Sequence, residues 1–162
     1  MDGAGWKEIT VTSFSFQNKL INNQMDILIS TDKKLLNKEF VYEYLWKTSY
    51  WAKGRSKRRI YKAIDGSLCF GVYLKDHTPI GFGRVVTDYA VFAWIMDVFI
   101  CAQHQDKGYG KRLMSEITNH PQLQTVSRWG LNTLDAHDLY RKYGFGKIKE
   151  ADIYMEKLVP QE

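Results

Sequence analysis

The sequence contains little cysteine and little proline. The shortage of cysteine argues against a small protein held together by disulfides and against a zinc-binding protein. Its 162 residues include two cysteines, three prolines and four histidines. Cys69 and Cys101 both lie in apolar, strand-like runs, which predicts two buried thiols and not a disulfide framework. Cysteine and histidine do not occur together at the spacing of a zinc site, so we expect no bound metal.

Long hydrophobic runs are also missing. No apolar stretch reaches the roughly 20 residues that a membrane-spanning helix needs, and no charged start followed by an apolar segment marks the N-terminus. We therefore expect a cytoplasmic protein with no membrane partner. Lysine and arginine together number 23 against 18 acidic residues, and the net charge of +5 favours an anionic partner without identifying it.

The pattern of apolar residues predicts a single mixed α/β domain over residues 25–162, preceded by an N-terminal arm or extra strand over 1–24. Short connections between the middle strands favour antiparallel neighbours. The predicted elements, in chain order, are strand 25–30, helices 35–47 and 55–64, strands 67–74, 80–88 and 91–101, helix 108–119, strand 125–132, helix 135–143 and a final hairpin or paired strands over 146–158.

A glycine-containing loop joins the most apolar strand to an amphipathic helix. Such a junction presents unpaired backbone N–H groups at the positive end of the helix dipole, where an anion can bind. Two glycines allow a phosphate to approach the backbone closely, and the lysines and arginine add positive charge. The pattern favours a pyrophosphate-binding turn over a tight turn with solvated lysines. The segment reads Gln105-Asp106-Lys107-Gly108-Tyr109-Gly110-Lys111-Arg112.

A second segment, residues 133–145, has the period of a helix that ends at Gly144. Ala136, Leu139 and Tyr140 share one face of this helix. From periodicity alone, Tyr140 could equally be a packed core aromatic with a hydrated hydroxyl.

Together the two segments resemble the GCN5-related N-acetyltransferases, the GNAT superfamily. Residues 97–112 are similar to the coenzyme A motif of that family, and residues 136–145 to its Ala-x-x-Leu-Tyr-x-x-x-Gly-Phe helix. The resemblance covers residues 25–158 and implies the GNAT fold, a mixed and mostly antiparallel sheet flanked by helices. It also implies an enzyme that transfers an acetyl group from acetyl-CoA to an amine.

The resemblance assigns a role to the residues of both motifs. Tyr140 would be the general acid that protonates the departing thiolate. Gln105 stands where arginine is commoner in the family, and Thr133 where many relatives have asparagine. The residues implied to bind the coenzyme are Val98, Phe99, Ile100, Gln105, Asp106, Lys107, Gly108, Tyr109, Gly110, Lys111, Arg112, Thr133, His137 and Tyr140.

The residue that removes a proton from the amine is less clearly indicated. Asp97 lies on the strand where relatives often carry an acid, and it is our catalytic candidate beside Tyr140. A structural carboxylate, with a chain of water molecules removing the proton, is the alternative. Asp88, His104 and His137 are further candidates.

The acceptor pocket is expected between the first two helices and the later strands. We predict that Tyr50, Trp51 and Asp88 bind the acceptor, a small-molecule or peptide amine. The basic run over residues 53–59 is either part of a slot for an anionic acceptor or a solvated helix face. A homodimer would be usual for the family, and no nucleic acid is expected as a partner. The rival hypothesis is a non-catalytic module that binds acyl-CoA for regulation.

Overall fold

The computed structural model describes residues 27–159, so the predicted arm over residues 1–24 lies outside the described residues. The strands are β1 (Ile27–Ser30), β2 (Leu68–Leu74), β3 (Pro79–Thr87), β4 (Phe92–Ile100) and β5 (Arg128–Gly130). The α-helices are α1 (Lys38–Lys47), α2 (Lys57–Asp65), α3 (Tyr109–Thr118) and α4 (His137–Arg141). Within this part of the chain, no helix has the length and apolar composition to cross a membrane.

The strands form one sheet in the order β1-β2-β3-β4-β5. Neighbours are antiparallel from β1 to β4, whereas β5 runs parallel to β4. The antiparallel pairs follow from short turns. In the turn between β3 and β4, Asp88 accepts hydrogen bonds from three successive backbone N–H groups. The parallel pair needs a crossover, which α3 supplies. The predicted mixed, mostly antiparallel sheet is confirmed.

Helices cover both faces of the sheet. On one face, α3 buries Leu113, Met114 and Ile117, three residues that helical spacing places on one side. On the other face, α1 and α2 pack with Phe82 and Phe99 of the sheet in a second cluster. The two cysteines are free and buried, as predicted. Burial raises the pKa of the Cys69 thiol to about 11, so this sulfur stays protonated near neutral pH.

A β-bulge interrupts β4. Asp97 and Val98 of this strand oppose the single Gly83 of β3, and Asp97 has a φ of +54°. The strand β5 pairs only with Phe92–Trp94, at the start of β4. Beyond the bulge, the outer edge of β4 therefore faces no strand among the described residues. This edge leads directly into the loop before α3.

The predicted hairpin or paired strands over 146–158 is wrong. In the described structure this segment contains one 3-10 turn, Ala151–Ile153, and no strand. Its apolar residues find little burial in the described structure, since Met155 and Leu158 are 92% and 81% exposed. The neighbouring β5 has only three residues, so a partner would gain few ladder hydrogen bonds there. Apolar residues in a segment do not make it a strand when no neighbouring strand is present to pair with it.

Candidate active site

The turn before α3 leaves its backbone N–H groups open. Gly108 is the N-cap residue of α3, has a left-handed φ of 82°, and provides no side chain to cap the helix. A Cβ atom added at Gly108 or at Gly110 would meet no atom within 4 Å. The first turn of α3 is therefore uncapped and has free space in front of its two glycines. A phosphate group would fit this arrangement.

Arg112 adds a cationic donor to the same helical turn. Its Nη1 atom is buried and has no hydrogen-bond partner among the described residues. A buried guanidinium nitrogen without a partner is uncommon in folded proteins, and either water or an anion can satisfy it. The Tyr143 hydroxyl donates a 2.5 Å hydrogen bond to the carbonyl of Lys111, which joins the end of α4 to this turn. The residues present therefore fit a pyrophosphate.

The end of β4 is held by side chains from two sides. Gln105 donates a 2.9 Å hydrogen bond from Nε2 to the Ile100 carbonyl oxygen. The ring of Phe99 stacks on that of Tyr44, with centroids 3.7 Å apart, inside the core under α1. The side chains of Phe99 and Ile100 are buried, so these residues can offer a ligand mainly their backbone groups. Gln105 contacts the strand end itself, an arrangement that the loop sequence did not indicate.

Tyr140 lies where α4 meets the loop between α1 and α2. Burial, together with smaller contributions from the Asp135 carboxylate and the Tyr50 phenol, raises its pKa to about 12. The Tyr50 hydroxyl lies 3.4 Å from Asp135 Oδ1 and accepts a hydrogen bond from the Leu134 N–H at 3.4 Å. The structure thus brings together the predicted acid and a predicted acceptor residue. The sequence did not indicate the contact between Tyr50 and Asp135.

A cavity of about 1090 Å³ lies beside β5 and α4, and Tyr140, Thr133 and His137 all line it. The Thr133 hydroxyl accepts a hydrogen bond from the Ala136 N–H at 3.0 Å and so supports the start of α4. Three of the residues implied to contact the coenzyme therefore share one cavity.

Asp97 is buried between two arginines. Arg84 Nε lies 2.7 Å from Oδ2 of Asp97, and Arg55 Nη1 lies 3.0 Å from Oδ1. The side chain of Asp97 is only 3% exposed. Arg55 also donates to the Trp51 carbonyl at 3.2 Å, which ties the loop between α1 and α2 to the bulge. Because both carboxylate oxygens contact an arginine, the geometry favours a structural carboxylate at Asp97 over a base that is free to accept a proton.

Asp88 is not brought to this cluster. It lies in the β3–β4 turn, at the end of β4 opposite the Gly108 turn. Hydrogen bonds from the N–H groups of Phe92, Ala90 and Val91 lower its pKa to about 2. His104 ends a 3-10 turn between β4 and the glycine loop.

Sequence reasoning missed Arg84. Arg84 is the single charged residue in the apolar run of β3, and a buried arginine needs an acidic partner. This feature of the sequence could have identified it. Among the described residues, no group of three or more His, Cys, Asp or Glu side chains could hold a metal ion.

Comparisons with known proteins agree with this geometry. The model of the acetyltransferase (GNAT) family matches residues 38–145, more than half of the chain. A GNAT-family protein of Xanthomonas campestris pv. campestris, of known structure, is 40% identical, with a TM-score of 0.79 over 83% of this chain and 94% of that one.

Two further proteins are similar to this chain. Protein FG08082 of Gibberella zeae, described as an acetyltransferase, is 29% identical over 78% of this chain and 83% of its own length. The GNAT protein SP0256 of Streptococcus pneumoniae shares the fold, with a TM-score of 0.64 at 20% identity over 84% of this chain and 99% of that one. From the family match and the open glycine turn beside a bulged strand, we conclude that this chain belongs to the GNAT family of acetyltransferases.

Proposed function

We propose that this protein is an N-acetyltransferase that moves the acetyl group of acetyl-CoA to a small-molecule or peptide amine, which attacks directly while both substrates are bound. The carrying observation is the uncapped, glycine-bearing first turn of α3 next to the open edge of β4. Family membership supports acetyl transfer in general, and acetyl-CoA is the donor that GNAT enzymes generally use. Binding both substrates together removes most of the entropic cost of their encounter.

Three groups of residues would bind different parts of the coenzyme. The amides and cationic side chains of residues 105–112 would hold the pyrophosphate. The open edge of β4 over Val98–Ile100 would pair with the pantetheine arm as a neighbouring strand does. Thr133, in the loop before α4, and His137, at its start, would contact the arm, because they line the same cavity as Tyr140.

Bound acetyl-CoA supplies the acetyl group as a reactive thioester. Tyr140 would donate a proton to the sulfur as the carbon–sulfur bond breaks and the carbon–nitrogen bond forms. Because the pKa of Tyr140 is raised to about 12, the phenol keeps its proton throughout the neutral range. A backbone N–H near Ile100 would donate to the carbonyl oxygen as negative charge develops.

For Asp97 we propose a positioning role. It fixes Arg55, and through Arg55 the Trp51 loop, at the bulge where the reaction would occur. The proton of the amine would then leave through water, and Tyr50 and Trp51 would form the wall that the acceptor meets.

The test combines binding with turnover. Calorimetry should detect saturable binding of coenzyme A, and a library of amines with acetyl-CoA should show release of the free thiol with at least one acceptor. Protein that binds coenzyme A but transfers nothing to any amine would support the regulatory module instead. Protein that does not bind coenzyme A would contradict both hypotheses.

A further inference from the structure

A second cavity, of about 820 Å³, lies on the face of the sheet that α1 and α2 cover. Five cationic side chains line it. Its volume falls within the range of about 300–1,000 Å³ that is usual for small-molecule sites. The lining residues are Arg55, Ser56, Arg58, Arg59, Lys62, Ala63 and Arg84; we call this the arginine pocket.

The positive charge of the arginine pocket is poorly neutralised. Arg55 and Arg84 share one carboxylate, that of Asp97. The other three cations, Arg58, Arg59 and Lys62, have no acidic partner among residues 27–159.

Two lysines of α1 and α2 that lie outside the pocket are paired. Lys57 forms an ion pair with Glu39, and Lys38 with Asp65 at 2.5 Å. The acidic residues Glu39 of α1 and Asp65 of α2 therefore pair with lysines outside the pocket and not with the cations that line it.

The arrangement costs helix stability. Arg58 and Lys62 are four residues apart on α2, a spacing at which like charges repel. The first turn of α2 carries no acidic residue, although a helix favours negative charge there. Arg58, Arg59 and Lys62 are exposed and lie around one cavity with the buried Arg84, so an anion that enters this cavity would meet several cationic donors.

The arginine pocket adjoins the proposed reaction centre. Arg55 and Arg84 form its wall and contact Asp97 in the bulge of β4. Arg55 also fixes Trp51, a residue predicted to meet the acceptor. Building on the proposed function, we infer that the acceptor is a small amine that carries a carboxylate or phosphate group, and that Arg58, Arg59 and Lys62 bind this acidic group. Planar guanidinium groups suit either anion because both offer paired oxygens.

The kinetic test uses acceptors that differ only in the acidic group, such as 2-aminoethyl phosphate against ethanolamine and β-alanine against its amide. The anionic member of at least one pair should have a kcat/KM at least about tenfold higher, the ratio expected from one charge-assisted hydrogen bond. Arg58→Gln, Arg59→Gln and Lys62→Gln should each remove most of this preference, mainly through KM of the acceptor. The KM of acetyl-CoA should not change.

Lys34→Gln is the matched control, because it removes the same charge from an exposed position outside the arginine pocket. It should leave the preference intact. Equal rates for anionic and neutral acceptors, or an equal loss for both in the pocket variants, would overturn the inference while leaving acetyl transfer established.

A binding measurement keeps the inference testable if no amine is turned over. Inorganic phosphate is titrated into protein already saturated with coenzyme A, so that the Gly108 turn is occupied. A saturable thermal shift in the wild type that is lost in the Arg58→Gln/Arg59→Gln double variant supports the pocket even if the proposed transfer fails. No saturable shift, or the same shift in the double variant, contradicts it.

Discussion

At the scale of single residues, Asp97 joins three parts of the chain. It sits in the bulge of β4, binds Arg84 of β3, and binds Arg55, which in turn holds the loop after α1. Arg84 uses all its nitrogens, since it also donates to Ser67 and contacts the sulfur of Met96. Because two guanidinium groups share one buried carboxylate, removing the carboxylate should destabilise the fold more than removing either arginine.

Replacing Asp97 by asparagine tests its role. Asp97→Asn leaves two partly or fully buried arginines without a counter-charge, so we expect the free energy of unfolding to fall by about 3 kcal/mol. Urea denaturation measures the loss, and Asp138→Asn, which breaks an exposed ion pair with Arg141, should change stability little. If the variant kept wild-type stability and wild-type acetyl-CoA affinity but lost turnover, Asp97 would instead be the base.

Tyr140 gives a second prediction at this scale. Tyr140→Phe should lower kcat about a hundredfold, the lower end of what general acid catalysis contributes, with coenzyme A affinity unchanged. Tyr89→Phe, at an exposed turn residue, is the control. Because the folded protein raises the pKa of Tyr140 to about 12, the phenol stays protonated beyond its ordinary pKa. The wild-type rate should therefore not decline through this group below about pH 10. Equal kcat in the phenylalanine variant would contradict the assignment.

How far the site could be predicted differs between its residues. The glycine turn and Tyr140 belong to contiguous segments, so spacing indicated the turn and the resemblance of residues 136–145 to a family motif indicated Tyr140. The surroundings of Asp97 did not follow from spacing, because its partners Arg55 and Arg84 are 42 and 13 residues away in sequence. Which long-range pair forms depends on the bulge and on strand register, and neither leaves a local pattern.

At the scale of elements, periodic segments were predicted well and the last segment was not. Helices α1, α2 and α3 and strands β2, β3 and β4 occur within about three residues of the predicted bounds. Each of the three helices buries one periodic face, whereas β2 and β3 are buried on both faces of the sheet. The predicted final strands failed because a strand depends on a neighbour as well as on its own pattern. The short β5 provides almost none.

The first turn of α3 offers a prediction that separates folding from binding. Gly110→Ala adds a Cβ atom where no protein atom lies within 4 Å, so the fold should tolerate it, and alanine is the better helix former. The same methyl group occupies the space that a phosphate needs, so coenzyme A affinity should fall at least about tenfold, or 1.4 kcal/mol.

The matched control for this turn is Gly66→Ala, which adds a methyl group at the end of α2, where the nearest atom is 3.5 Å away. Calorimetry should show unchanged coenzyme A affinity for this variant. Full affinity in Gly110→Ala would place the pyrophosphate elsewhere.

At the scale of the whole molecule, a coenzyme bound at the proposed site would link the two faces of the sheet. The Gly108 turn belongs to α3 on one face, whereas Tyr50 and Trp51 belong to the loop of the opposite face. The open edge of β4 lies between them. A ligand that occupies this edge fills the place of the strand that the sheet lacks there. We therefore expect binding to stabilise the entire domain and not only one loop.

This expectation can be measured as a shift of the melting temperature Tm. Coenzyme A at a hundred times its Kd should stabilise the folded protein by about 2.7 kcal/mol. Pantetheine, which lacks the pyrophosphate, should produce a much smaller shift at equal concentration, because it can use the β4 edge but not the Gly108 turn. Added salt should reduce the coenzyme A shift and leave the pantetheine shift nearly unchanged, since only the former depends on charge. Equal shifts for the two ligands would mean that the strand edge alone binds, and that the glycine turn does not hold a phosphate.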